Sequence, residues 1–408
     1  MLNSNKEREL AYVVIVDGIE PIPGYDRVEH ALIGGWRVIV QKDQFHVGEP
    51  AIYFEIDSRV PADRECFAFL EKRHYKVKTL KMCKTISQGL LMHAADFGWH
   101  IENLAEDVGI CIVDDKNVRH YSNDESRFLT KQLGVTYADE EDNQRKAAPV
   151  DKYKKMAGRH PKIFKKPFVR WLMKYSWGRK LMFFFFGKKK DKKGGWPSWV
   201  QKTDEERVQN MPWILKDEGN WIATEKIDGT STTFTMKRGK FGRKSFYVCS
   251  RNVCFDTIEK PCYYDTNVYW EMAKKYKLFE VLSDMLDKNP DEEWITIQGE
   301  TYGATVQKRD YSIEGRDLAV FNLIYSSKGR VGTMEMIDTL SHYNVPCVPV
   351  VEKQMKINQF ENVDAILNYA EGNSRIDGKP REGIVFRSID GTKSFKAVSN
   401  TFLLKYHG

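Results

Sequence analysis

At positions 224–229 the chain reads TEKIDG, with one lysine two residues before an Asp-Gly turn and between two stretches that read as strands, WIATE and TSTTFTMK. Lys226 has two readings. It is a solvated lysine in a hairpin, or its amine is a nucleophile. The second requires loss of a proton, although a free lysine titrates near ~10.4. Neighbouring positive charge, a metal ion above all, lowers that value and activates the amine. Asp228 fits a contact to a sugar hydroxyl or to the nucleophile itself. Gly229 lets the backbone turn and approach a ligand closely.

Lys226 keeps ordered company. Downstream stand SRN (250–252) with Arg251, QGETYG with Glu300, VFNLIY with Phe321, REGIVFR with Glu382 and SFKAVSN with Lys396. Each lies within or at the end of a predicted strand, where side chains can converge on one cleft. Glu300 and Glu382 are hard oxygen donors suited to Mg²⁺, directly or through its waters. Phe321 could stack on a purine, and Lys396 could neutralise charge building on an α-phosphate. Each also has a bland reading. The two glutamates could be strand-end carboxylates in surface ion pairs, and Phe321 could be core.

In this order the motifs resemble those of the covalent nucleotidyltransferase superfamily of ligases and capping enzymes, and within it the ATP-dependent RNA ligases. The resemblance covers nearly all of residues 196–408. It implies that KIDG is motif I, with Lys226 the site of a lysyl–AMP bond and Glu225 and Ile227 beside it. SRN resembles the ligase element whose arginine, here Arg251, places the sugar or the acceptor strand. QGETYG, FNLIY, REGIVFR and SFKAVSN resemble motifs III, IIIa, IV and V. QKTDEERVQN (201–210) is similar to a segment preceding motif I in RNA ligase 2-like enzymes. Its Arg207 is the candidate for the β- and γ-phosphates, against a helix-surface ion pair within TDEER.

The resemblance thus casts Lys226, Asp228 and Lys396 as catalytic. Arg207, Glu225, Ile227, Arg251, Glu300, Phe321 and Glu382 join Lys226 and Lys396 in binding ATP or AMP, and Glu300 and Glu382 hold the metal. One departure stands out. Motif V commonly carries a second lysine two residues after the first, and here that position is Val398. Either Lys393 or Lys405 supplies the charge, or one basic residue suffices.

The implied activity joins 3′-OH and 5′-phosphate RNA ends, in RNA repair, using ATP and Mg²⁺ or Mn²⁺. The substrate could be a nicked duplex or an RNA–DNA hybrid. Two alternatives remain open: a GTP-dependent capping-type guanylyltransferase, and a non-catalytic nucleic-acid-binding protein. Only 12 residues follow Lys396, so the OB domain that DNA ligases and capping enzymes carry there is not expected. The OB candidate precedes the catalytic domain instead, as in Naegleria- and Deinococcus-type RNA ligases.

The elements that must position these residues fall into three regions. Residues 1–105 read as an OB-like β-barrel, from the short strands YVVIV, VEHALI, WRVIV, AIYFEI and GLLMH divided by turns such as IEPIPGYD. Any other small β-domain would read similarly. Residues 106–195 read as a connector, with ADEEDNQRK (138–146), followed by a basic-aromatic segment.

Between Arg159 and Lys193 that segment holds 13 Lys or Arg and one Asp, within a chain of net charge +7. Phe164, Phe168, Trp171 and Tyr175 recur at the spacing of one helical face. A nucleic-acid grip, a membrane-surface helix and a helix docked on the next domain all fit. GKKKDKKGG reads as a loop.

Residues 196–408 read as an α+β nucleotidyltransferase domain of antiparallel sheets flanked by helices. Helical spacing marks 268–287, 333–342 and 360–371. The seven cysteines show no C-x-x-C and no paired spacing with histidines, so reduced thiols in an intracellular, cytoplasm-like compartment are expected. No apolar run is long enough to span a membrane. A monomer is expected.

Overall fold

The computed structural model describes residues 1–4, 7–99, 110–113, 119–121, 127–138, 161–164, 166–186, 196–251, 253–255 and 267–407. They fall into two compact units, Met1–Thr136 with Gly195–Gly408, and Tyr137–Gly194. The stretches ADEEDNQRK (after Ala138) and GKKKDKKGG lie outside the described residues, as does Asn252 of SRN.

At the N-terminus, strands Ala11–Ile15, Pro50–Phe54 and Leu90–Met92 form one antiparallel sheet, and Gly18–Ile22, Tyr25–Ile33 and Trp36–Gln41 another. Alternate side chains, among them Val14, Ala31, Trp36, Val38 and Tyr53, turn inward and share one core. This is the small barrel that the strand spacing predicts.

Three details differ from the sequence reading. IEPIPGYD is not all turn. Gly18–Ile22 pairs with Tyr25–Ile33, a bulge at Pro21–Ile22 absorbs the proline, and Gly24 (φ 81°) makes the reversal. A hairpin of Thr79–Met82 and Thr85–Gln88 fills the long connection before GLLMH. Residues 127–136, read as connector, pack on the barrel: Leu129 N–H donates to Ala11 O at 2.8 Å and Leu10 N–H to Thr130 Oγ1 at 2.8 Å.

The second unit was expected to carry one aromatic helical face. It holds three short helices instead, Pro161–Phe164, Pro167–Leu172 and Ser176–Phe186. A proline inside a helix removes a hydrogen bond and clashes with the preceding turn, but it suits the first position, where Pro167 stands. Phe164 is buried with Leu172 and Met182, whereas Phe168, Trp171 and Tyr175 are exposed.

The C-terminal part of the first unit is built on two antiparallel sheets. The larger has six strands, with Lys244–Cys249, Thr230–Arg238, Trp294–Gly303 and Arg316–Tyr325 at its centre. The smaller runs in the order Val350–Met355, Trp221–Lys226, Gly383–Ser388, Ser394–Val398. Val350–Met355 escaped the sequence reading because it is a largely exposed edge strand without alternating apolar residues.

The helical stretch 268–287 is two helices, Val268–Lys275 and Leu278–Lys288, broken where Lys277 adopts a left-handed conformation (φ 49°). The break turns Leu278, Leu282, Met285 and Leu286 into the core of the large sheet. Helix Val363–Ala370 covers the small sheet, packing Ile366 and Leu367 against Ala223, Phe386 and Ala397.

Candidate active site

Strand Trp221–Lys226 is buried except at its last residue. Lys226 pairs in register with Gly383, which brings it beside the residue before that glycine, Glu382. Lys226 Nζ lies 2.5 Å from Glu382 Oε1. Glu300 comes from the other sheet, paired with Ser231 just past the Asp-Gly turn.

Gly229 is what lets the two sheets meet. A Cβ there would sit 2.3 Å from the Thr301 carbonyl oxygen and 2.8 Å from Glu300 Cγ. Backbone oxygen cannot swing aside, so Gly229→Ala should lower stability by about 1–3 kcal/mol and displace the Glu300 strand. Chemical denaturation set beside nucleotide binding would measure both effects.

The electrostatics are those of a cation-hungry site. Burial would depress the Lys226 pKa, but Glu382, Glu300 and Asp228 outweigh it and raise it, so the amine is an ammonium near neutrality. Burial, with Glu382 and Asp228 adding repulsion, pushes the Glu300 carboxyl up to about 8. Glu382 Oε2 is buried and makes no hydrogen bond. Among the described residues no three His, Cys, Asp or Glu side chains converge as a direct metal-ligand set.

Strand alternation sends Glu225 and Ile227 away from Glu382. Ile227 packs with Tyr302, Tyr311 and Val348, and Phe321 lies against this cluster. Phe321 stands at an irregularity in the ladder, between Asn322 opposite Gln298 and Val320 opposite Gly299. The Arg387 guanidinium lies 5.7 Å from its ring centroid. Glu225 is almost fully buried; its Oε2 accepts from Arg375 N–H at 2.8 Å, and its Oε1 makes no hydrogen bond.

Lys396 and Val398 share one face of their strand, and they part ways. Lys396 Nζ lies 2.6 Å from Asp204 Oδ1. Burial and the nearby Arg8, Arg207 and Lys226 pull its pKa down to about 8 against the attraction of Asp204. Val398 enters the barrel core beside residues such as Trp36 and Tyr53. The absence of a second lysine there therefore has a packing reason: its ammonium would be buried among apolar groups. Lys393 pairs with Asp217 at 2.5 Å.

Sequence reasoning missed Asp204. Its carboxylate joins Lys396, Arg8 (3.2 Å) and Arg251 (3.2 Å), and these cations, outweighing burial, hold it well below the usual carboxylate range. The available signal was the acidic run TDEE immediately before Arg207. Arg207 itself reaches the barrel, 2.8 Å from Asp57 and 3.7 Å from Glu55, while its Nη1 makes no hydrogen bond. Its backbone bridges to Lys396.

Tyr311 was also missed. Its hydroxyl accepts the Asp228 backbone N–H at 2.6 Å, and Arg309, buried and paired with Asp377 at 2.9 Å, lies 3.7 Å from the ring centroid. This post holds the turn after Lys226. Lys226, Asp228, Glu300 and Glu382 thus meet where the two sheets approach, with Lys396 close enough to Lys226 to feel its charge. Arg251 stands half-exposed at the edge of this group.

The fold defines the class: an α+β domain of two antiparallel sheets flanked by helices, preceded by an OB-like barrel. Comparison with known families agrees, since a model described as an OB-fold domain matches residues 10–94 and one described as RNA ligase matches residues 219–407.

Nearly the whole chain shares the fold of Naegleria gruberi RNA ligase. The structure of that protein with pyrophosphate superposes with a TM-score of 0.70 at 24% identity, covering 98% of this chain and 99% of that one. A variant of it with AMP and Mn gives 0.69 at 24%, and another with ATP and Mn gives 0.69 at 23%, each over 98% and 99% of the two chains. Comparison with curated proteins returned no match. No helix among the described residues is long and apolar enough to cross a membrane.

Proposed function

We propose that this chain is an ATP-dependent RNA ligase that joins 3′-OH and 5′-phosphate ends through a lysyl–AMP intermediate. The observation that carries the reading is Lys226, held 2.5 Å from Glu382 at the end of a buried strand, with Glu300, Asp228 and Lys396 around it. The Lys226 nitrogen forms a bond to the α-phosphorus of ATP as the bond to the bridging oxygen breaks, and pyrophosphate leaves. The 5′-phosphate of an RNA strand then displaces the lysine and takes the AMP. Last, a 3′-OH attacks that phosphate and expels AMP, which leaves far more readily than oxide.

In this reading Lys396 offsets charge on the α-phosphate, and Arg207 and Arg251 meet the outer phosphates and the sugar or acceptor strand. Phe321 and Ile227 offer the adenine an apolar wall. The raised Glu300 carboxyl and the unpartnered Glu382 Oε2 fit a divalent cation, Mg²⁺ or Mn²⁺, held directly or through water. When bound, it would lower the Lys226 pKa and neutralise phosphate charge.

Two predictions arise here. Because the amine must lose a proton before it attacks, single-turnover lysyl–AMP formation should rise with pH, by up to about tenfold per unit, below the Lys226 pKa that the bound cation would set. A flat profile would contradict an attacking ammonium-derived amine. Glu225 Oε1 is buried without a hydrogen bond, with Ser374 beside the carboxyl, and a carboxylate accepts from the adenine amine but repels the guanine carbonyl. Glu225→Gln should therefore reduce the preference for ATP over GTP by about tenfold to a hundredfold, read as label transfer from each nucleotide.

The reading as a whole is tested with a labelled 5′-phosphate RNA, nicked and single-stranded, plus ATP and Mg²⁺. Adenylylated strand and joined product are expected. Transfer from GTP in place of ATP would favour the capping-type alternative, and binding with no covalent nucleotide would favour a binding protein.

A further inference from the structure

We propose that the segment 166–180 of the second unit is a stacking surface for a single strand of RNA; the proposal rests on the RNA-ligase reading. Phe168, Trp171, Tyr175 and Trp177 are exposed by 69%, 47%, 45% and 55%. They are not displaced core residues. The unit has its own small core in Phe164, Leu172 and Met182, and the four rings lie outside it.

They form a continuous row. Phe168 and Trp171 stack with centroids 5.9 Å apart at 26°, Trp171 meets Tyr175 edge-on at 5.2 Å, and Tyr175 stacks with Trp177 at 6.4 Å and 27°. Leaving four large rings in water is unfavourable, and a row of this kind marks a surface that meets something.

The charges indicate what it meets. Residues 161–186 hold seven Lys or Arg and no Asp or Glu. Lys166, Arg170, Lys174 and Lys180 are exposed, and the first three alternate along the chain with Phe168, Trp171 and Tyr175. A nucleic-acid strand alternates phosphate with base. A surface that alternates cation with ring matches it, because every base offers a π-face regardless of sequence. An interfacial membrane helix instead segregates one apolar face from one charged face along its length. Here the aromatics span two helices and the turn between them.

The test compares the full chain with the variant Trp171→Ala/Tyr175→Ala/Trp177→Ala, all three positions being exposed. A fluorescein-labelled single-stranded RNA serves as the probe, beside the same strand carrying abasic sites. The variant should bind RNA at least about tenfold more weakly while its circular dichroism and its transfer of label from ATP to the enzyme stay unchanged. Wild-type protein should bind the abasic strand as weakly as the variant binds the intact one. Undiminished RNA affinity in the variant would overturn the proposal. So would wild-type binding to phosphatidylserine-containing vesicles that the variant loses while keeping RNA, which assigns the row to a membrane. Weakened RNA binding in a protein that takes no label from ATP or GTP would instead leave the surface standing and remove the ligase reading.

Discussion

Replacing Lys396 with alanine should slow lysyl–AMP formation by about a hundredfold to a thousandfold, the cost of removing one preorganised charge aimed at a developing anion. The expectation follows from placement. Lys396 is nearly buried in a cation group with Arg8, Arg207 and Lys226, and Asp204 is the carboxylate that offsets it. A phosphate entering this group would meet charges already fixed by strand backbone, with little reorganisation. Lys396→Arg should recover only part of the rate, since a guanidinium is planar and wider than an ammonium. Single-turnover label transfer at saturating ATP separates this loss from weaker binding. A loss of less than about threefold would remove Lys396 from the chemistry.

The second large effect concerns stability and lies in the barrel. Glu55 is fully buried, 2.7 Å from Arg8 and 3.7 Å from Arg207, and also pairs with the N-terminal ammonium. Burial alone would raise its pKa. The three cations win and lower it from an ordinary 4.5 to about 2. A carboxyl with a depressed folded pKa stabilises the fold at pH values above its unfolded pKa, and that contribution is lost as pH falls from about 4.5 towards 2. The shift corresponds to about 3 kcal/mol.

Glu55→Ala should cost about 3–5 kcal/mol at neutral pH, because it removes the fully buried carboxylate that Arg8, Arg207 and the N-terminal ammonium share. Urea unfolding measures it, and the difference from wild type should shrink as the buffer is acidified. A difference independent of pH would mean that packing, not charge, carries the effect. Arg8 also holds Asp204, and Asp204 holds Lys396, so the same ion pairs tie the barrel to the site.

Much of the site was legible because its residues stand in short motifs on or beside strands, where type, order and turn chemistry are local. Lys226, Glu300, Glu382 and Lys396 were readable for that reason. Asp204 and Tyr311 were not. Asp204 meets Lys396 across 192 residues, and Tyr311 meets the Asp228 N–H across 83, separations that no local pattern encodes.

The fold shows the same division. Strands with strict alternation, such as Trp36–Gln41, were plain, whereas the exposed edge strand Val350–Met355 and the proline-bearing Gly18–Ile22 were hidden by composition. Val398 looked like a missing charge. Its reason became visible only once the barrel core closed around it.

The central claim is tested most directly by incubating the protein with α-labelled ATP and Mg²⁺, alongside Lys226→Ala, followed by denaturing electrophoresis. The account predicts label that survives denaturation on the wild type and none on the variant. Equal labelling of both proteins would contradict it, as would no label on wild-type protein first freed of bound AMP with pyrophosphate.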